Sequence, residues 1–347
     1  MTTALAIVVA VLAVSLLIVV HELGHHWAAR RSGMRVERFS VGFGPVVASF
    51  RRGGTEFAVS ALPLGGYVKI AGMAPGDDVA ADDPSSYANQ PAWRRFLVIL
   101  AGPAMNYVTA VLLAAALLAT VGLRGPDPAA RVGQVLPGWP AAEAGLRTGD
   151  RVLSVDGQPV AEWSALVSRF QASPGRPLAI EVERGGERLA LTLTPREVNG
   201  RGRVGFGQAA ATQREGGLAA ISAAFSRTND FARAQLAAFG AVFRGAAGAE
   251  LSGPVGIAQQ LVAGARDGSG PFLALVWQIS IVLAILNLLP IPALDGGRLV
   301  FLVIEMVTRR RVNERVESIV HFVGFVALVA LLLGVTVFGD LARLFGR

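Results

Sequence analysis

The chain contains no cysteine. Disulfides are excluded, and so is a zinc site built on thiolates, while the redox compartment stays undetermined. Charge is scarce as well. Asp, Glu, Lys and Arg make up 16% of the 347 residues, against about 25% in an ordinary soluble protein, and hydrophobic residues reach 52%. That balance speaks against a soluble protein and for an integral membrane protein of a size that holds a helical bundle plus one further domain. The formal net charge is +7, yet no basic stripe marks a nucleic-acid-binding face. Internal repeats are absent too. The arginines instead cluster beside apolar runs, where they set membrane orientation.

Four runs are long enough to span a bilayer, which takes about 20 apolar residues. They are residues 3 into the HELGH stretch, 96–123, 272–294 and 318–339. The first has no basic n-region and no small-residue cleavage site before His21, so it reads as a retained helix, not a signal peptide. Arg30, Arg31, Arg35, Arg51 and Arg52 follow the first run, Arg94 and Arg95 precede the second, and Arg309, Arg310, Arg311 and Arg315 separate the third from the fourth. All fall on one side, which the positive-inside rule makes cytoplasmic. Both termini and residues 124–271 are then extracytoplasmic.

Between the first two runs, residues 36–72 alternate apolar and polar around an RRGG turn and predict strands with at least one hairpin. An acidic, turn-rich loop follows over 74–93. Residues 129–197 read as a compact α+β domain: the strand RVLSV, the helix EWSALVSRFQAS and a hairpin turning at Gly185-Gly186. Residues 217–248 have an amphipathic helical pattern suited to the outer membrane surface. The expected division is a first membrane part (1–123), an extracytoplasmic domain (124–200), an interfacial segment (201–271) and a second membrane part (272–347).

The stretch VVHELGHHWAARR carries the chemistry. At 100° per residue, His25 lies about 40° from His21, so the two imidazoles stand one turn apart and can share a metal. Glu22 stands beside them, within reach of a metal-bound water. Ionisable residues in a membrane helix are costly, and three within five positions point to function. A catalytic zinc needs a third protein ligand and an open position. Asp295, in NLLPIPALDGGRL, is the leading candidate. Pro290 and Pro292 break the helix there, and Gly296-Gly297 permit close backbone approach. His321 and Glu305 are competitors, and His26 reads as a flanking residue.

Taken together, these motifs resemble a known family. HELGH in a first membrane helix, PLGGYVK at 63–69, AGPAMN at 101–106, LSGPVGIA at 251–258 and NLLPIPALDGG at 287–297 follow the order of the site-2 protease family, most similar to its bacterial regulator-of-sigma-E type. Within 129–197, AGLRTGD followed by VDG resembles a PDZ domain, with a carboxylate-binding loop expected near 132–135. The resemblance implies an α-helical membrane protein of four transmembrane helices, a membrane-associated β-loop and one α+β PDZ domain. Some relatives carry two PDZ domains, and this chain has room for one. It implies zinc held by His21, His25 and Asp295, Glu22 as catalytic base, Asn287 in substrate handling and Asn106 in the second-helix motif near the site.

The expected activity is intramembrane proteolysis of single-span proteins in a bacterial inner membrane, with the site toward the cytoplasm. An anti-sigma factor already trimmed outside is the leading substrate, and remnant signal peptides are a second class. A strand edge at 65–70 would hold the substrate extended, making Gly65, Gly66 and Tyr67 contacts, while the PDZ domain takes a peptide or chain terminus. Two other readings compete. One is a non-catalytic PDZ scaffold with a structural metal, which needs no base such as Glu22. The other is a metal transporter, which would show polar residues in several spans or an internal repeat.

Overall fold

The computed structural model describes residues 2–74, 77, 80, 82–127, 129–244 and 253–337. The elements begin with α1 (Thr3–Arg31), β1 (Val36–Arg52), β2 (Thr55–Ile70), a 3-10 turn at Tyr87–Asn89 and α2 (Ala92–Ala119). Next come β3 (Leu123–Pro126), β4 (Val132–Val135), α3 (Pro140–Glu143), β5 (Arg151–Val155), β6 (Gln158–Pro159), α4 (Trp163–Gln171), β7 (Leu178–Arg184) and β8 (Glu187–Leu193). They continue with β9 (Arg196–Val198), β10 (Arg201–Arg203), β11 (Phe206–Gln208), β12 (Ala210–Gln213), α5 (Gly217–Phe243), α6 (Pro254–Asp267), α7 (Ser269–Leu288), α8 (Asp295–Thr308) and α9 (Glu314–Gly334). They form two compact units. One joins Met1–Val121 to Glu215–Arg347, and the other is Gly122–Arg214.

Four helices of the first unit are long and apolar enough to cross a membrane: Thr3–Arg31, Ala92–Ala119, Ser269–Leu288 and Arg315–Val337. In lipid a helix satisfies every backbone group internally, which is why such runs fold this way. Two boundaries differ from the sequence reading. The second helix starts earlier and ends at Ala119, and Leu123 belongs to a strand of the other unit. The third ends at Leu288, not at residue 294. Pro290 and Pro292 cannot continue it, the chain turns with Ala293 at φ 78°, and Asp295 starts a new helix.

Close packing of α1 on α2 depends on Gly24, because a Cβ there would overlap the Ala101 carbonyl. Residues Ala29, Val36, Ile70 and Val98 form a buried cluster tying α1, the hairpin and α2 together. The hairpin itself is doubly bent, β1 at Gly42 and Gly44 and β2 at Gly65, all with positive φ. Residues 38–41 of β1 consequently pair on one side with 56–59 and on the other with 66–69 of β2. The effective strand order is 46–52, 55–60, 36–41, 66–70, which leaves 66–70 as an edge.

The sequence reading put Leu218, Ile221 and Phe225 on one side of an amphipathic helix, and α5 does leave these residues exposed. It packs instead through Ala220, Ala224 and Thr228, and Trp277 of α7 donates its indole N–H to Thr228 Oγ1 at 3.1 Å. Residues 245–248 of that expected helix, and the first two residues of LSGPVGIA, lie outside the described residues.

In the second unit the sheet order is β6-β5-β7-β8, all antiparallel. Gly185 and Gly186 both take positive φ at the β7–β8 turn, as a two-residue hairpin loop requires. Val152, Leu166, Phe170, Ile180, Val182 and Leu193 fill the core. Residues 132–135 form a strand paired with β11, not a free loop. Phe206 of β11 packs edge-on against Trp163 and Phe170 at 5.5 and 5.9 Å. That packing carries this unit to residue 214, past the expected boundary at 200.

Candidate metal centre

His21 and His25 are buried in the C-terminal half of α1, one turn apart, with ring centroids 4.7 Å from each other. Asp295 meets them from the first turn of α8. Its Oδ2 lies 3.0 Å from His21 Nε2 and 3.3 Å from His25 Nε2, and the two Nε2 atoms are 3.1 Å apart. A tetrahedral zinc with bonds of about 2.0–2.2 Å spaces its ligand atoms at roughly 3.3–3.6 Å, so the trio is close to that arrangement. His21, His25 and Asp295 are the group of metal-ligating side chains brought together among the described residues.

Two further observations fit a cation. The first is protonic. His25 Nδ1 lies 2.8 Å from the Val98 carbonyl oxygen, which can only accept, so Nδ1 carries the hydrogen and the neutral ring presents its Nε2 lone pair toward Asp295 and His21. Asp295 Oδ2 is buried and receives no hydrogen bond. The buried Asp295 oxygen and the His25 lone pair facing one another are costly unless a proton or a metal cation sits among them. The second is spatial. A Cβ on Gly102 would lie 2.8 Å from His21 Nε2 and closer still to His25 Nε2. The missing side chain leaves a hollow against the ligand atoms. Pro103 follows inside α2, and having no N–H it offers no helical donor to the Ile99 carbonyl.

Glu22 does not join the trio. Its Oε2 accepts the Val68 N–H at 3.1 Å, so the edge strand of the hairpin orients this carboxylate. Asn106 is buried, with its amide 3.3 Å from His21 Nδ1. Asn287 is half-buried in the last turn of α7, with no side-chain hydrogen bond to another described residue. Gly65 and Gly66 lie against α1. A Cβ on Gly65 would touch Ile18 at 3.2 Å, and one on Gly66 would meet the Ser40 oxygen at 2.5 Å. Tyr67 stacks on Phe43 at 5.9 Å and accepts from Arg38 at 3.4 Å.

Of the competitors, His321 is elsewhere. Its Nδ1 accepts the Ala293 N–H at 2.9 Å and so holds the turn before Asp295. Glu305 pairs with Arg95 and Arg311. His26 sits edge-on between Phe39 and Phe57. Sequence reasoning missed Gly102 and Val98. AGPAMN held the only available signal, a glycine followed by a helix-internal proline.

Donors of this kind, buried beside helices long and apolar enough to cross a membrane, are the kind of group that could hold a catalytic metal ion. The profile of Peptidase family M50 matches residues 9–331, and the chain belongs to that family. A Nostoc sp. protein with a provisional zinc-metalloprotease name is 34% identical over 340 residues, covering 94% of this chain and 93% of its own. The regulator of sigma-E protease RseP of Salmonella typhimurium is 30% identical over 443 aligned residues, covering 96% and 98%. With 347 residues here, that alignment implies a long insertion in the relative. The regulator of sigma-W protease RasP of Bacillus subtilis is 30% identical over 410 residues, covering 95% and 96%. The protein is a membrane zinc metalloprotease of the site-2 protease family, and the scaffold and transporter readings fall away.

Proposed function

We propose that His21, His25 and Asp295 hold the zinc, that Glu22 is the general base, and that the enzyme cleaves transmembrane segments of single-span proteins. The observation that carries this reading is the convergence of the three ligand atoms just after the uncharged run of α1 that precedes His21, with Glu22 on the same turn. Zinc held there would supply a Lewis acid for the scissile carbonyl and would lower the pKa of water. Glu22 takes the water proton and returns it to the leaving amine. Val68 N–H occupies one Glu22 oxygen and leaves the other free to take a proton.

A substrate helix must unwind before its amides can be attacked. The edge at 66–70 lies directly beside Glu22, and an extended substrate adding as a strand there passes the site. Gly65 and Gly66 let that edge press on α1, Tyr67 shapes its bend, and Asn287 has amide groups free for a substrate backbone. Exposed Val47, Phe50, Leu62 and Leu64 suit a hairpin dipped into lipid. The arginine distribution supports extracytoplasmic termini and a site toward the cytoplasm in a bacterial inner membrane. The relatives' names tie them to sigma-E and sigma-W regulation, which favours a trimmed anti-sigma factor as substrate, with remnant signal peptides second. The unit at 122–214 serves as the PDZ module that receives a chain terminus or screens untrimmed substrates.

Co-expression with a panel of tagged, pre-trimmed anti-sigma factors tests the assignment. Glu22→Gln retains zinc and lowers cleavage about 10²–10⁴-fold. Equal cleavage by both enzymes removes Glu22 from the mechanism.

A further inference from the structure

His25 has an unambiguous partner for its second ring nitrogen, the Val98 carbonyl. His21 does not. Its Nδ1 lies 3.3 Å from the Asn106 amide nitrogen, while Asn106 Oδ1 is buried with no partner among the described residues. In that orientation the amide donates, His21 Nδ1 accepts, and the imidazole hydrogen is driven onto Nε2, the atom that faces Asp295 and His25. A half-turn of the amide exchanges its oxygen and nitrogen in the same volume. Oδ1 then accepts a hydrogen from His21 Nδ1, and Nε2 presents its lone pair to the metal. Counting hydrogen bonds does not separate the two orientations, since each makes one. Zinc does, because a metal-ligating imidazole needs a bare nitrogen.

We infer that Asn106 is a positioning residue that holds His21 in the zinc-binding tautomer through its side-chain oxygen. This rests on the reading of His21 as a zinc ligand. The placement is built into α2. Val98, Gly102 and Asn106 recur every four residues on one face. They supply the acceptor for His25, the hollow for the metal and the acceptor for His21 in turn. Asn106 is held in register, for Ser280 of α7 is fully buried and donates its hydroxyl to the Asn106 backbone oxygen at 2.8 Å. At 1% exposure, Asn106 acts through His21 and does not touch substrate.

The test is zinc affinity of the full chain in detergent, by competition with a chromophoric chelator. Asn106→Leu removes the acceptor and weakens zinc about 10–100-fold. Asn106→Asp keeps an acceptor, has no amide donor, and stays near wild type. Wild-type affinity in the leucine variant, or equal weakening in both, overturns the inference. With only four histidines in the chain, ¹⁵N-histidine NMR of the zinc-loaded wild type reads which His21 nitrogen carries the hydrogen without any substitution. A hydrogen on His21 Nδ1 is expected, and His21 binding the metal through Nδ1 with its hydrogen on Nε2 overturns the inference. His21→Ala separates the two levels. If it binds zinc as tightly as wild type, the ligand assignment itself has failed and takes the inference with it.

Discussion

Gly102 contributes by what it lacks. HELGH pointed to His21 and His25 through their chemistry, and the two prolines pointed to Asp295, so the trio that the fold brings together was legible in the sequence. The hollow was not, because a glycine in a membrane helix carries no sign of what it faces. Gly102→Ala places a methyl group against both Nε2 atoms. The expected outcome is loss of bound zinc and at least about 10²-fold slower cleavage, with helix content unchanged by circular dichroism. Zinc retained at the wild-type level would mean that α2 yields more easily than its packing indicates. A second residue-scale case lies in the other unit. Burial alone would raise the Asp150 carboxyl, but Arg184, donating at 2.7 Å to each oxygen, and the Arg147 N–H at 2.8 Å outweigh it and hold it below the usual range. The folded value is thus below the unfolded one of about 3.9, so the stabilisation is complete above about pH 4 and is lost as pH falls through the folded value. Thermal melting followed for residues 122–214 should drop on acidification below about pH 4, and drop less in Asp150→Asn. Equal slopes would remove this pair from the acid response.

At the scale of elements, periodicity located helices and strands better than it located their bends. The hairpin was readable from alternation, since period-two burial needs nothing but strand geometry. Its fourfold layering was not, because that depends on Gly42, Gly44 and Gly65 taking positive φ together. The layering matters: it makes 66–70 an edge and turns the Val68 N–H outward onto Glu22. Val68→Pro deletes that donor while leaving the zinc ligands in place. Cleavage is expected to fall at least about tenfold, about 1.4 kcal/mol in the barrier, with zinc content preserved. Val68→Ala keeps the N–H and should cleave nearly as wild type. A proline variant of full activity would show that neither the Glu22 contact nor the edge serves catalysis. The break between α7 and α8 was legible from Pro290 and Pro292, whereas the support that His321 gives this turn was not, because the contact joins residues 28 apart in sequence through a backbone N–H.

For the whole molecule, hydropathy reported the four long helices because lipid imposes a length and forbids unpaired backbone, constraints that act on composition directly. The sequence reading divided the chain into four parts, whereas contacts group it into two compact units, the second of which runs to residue 214 because the brief β11 and β12 pair with strands far earlier in the chain. Orientation is the property that composition argues most directly and packing argues least, and it fixes from which side water and substrate reach the metal. The lack of cysteine makes it measurable. Single cysteines at Arg52→Cys, beside the hairpin turn, at Arg310→Cys, after α8, and at Glu187→Cys, in the β7–β8 hairpin, all fall at exposed positions. In intact cells, a membrane-impermeant maleimide should label only the cysteine at 187, and the cysteines at 52 and 310 should react once the inner membrane is opened. Labelling of 52 or 310 from outside would invert the topology. The arginines flanking the helices would then lie on the side the positive-inside rule disfavours, and the zinc centre would open toward the extracytoplasmic space instead of toward the cytoplasm.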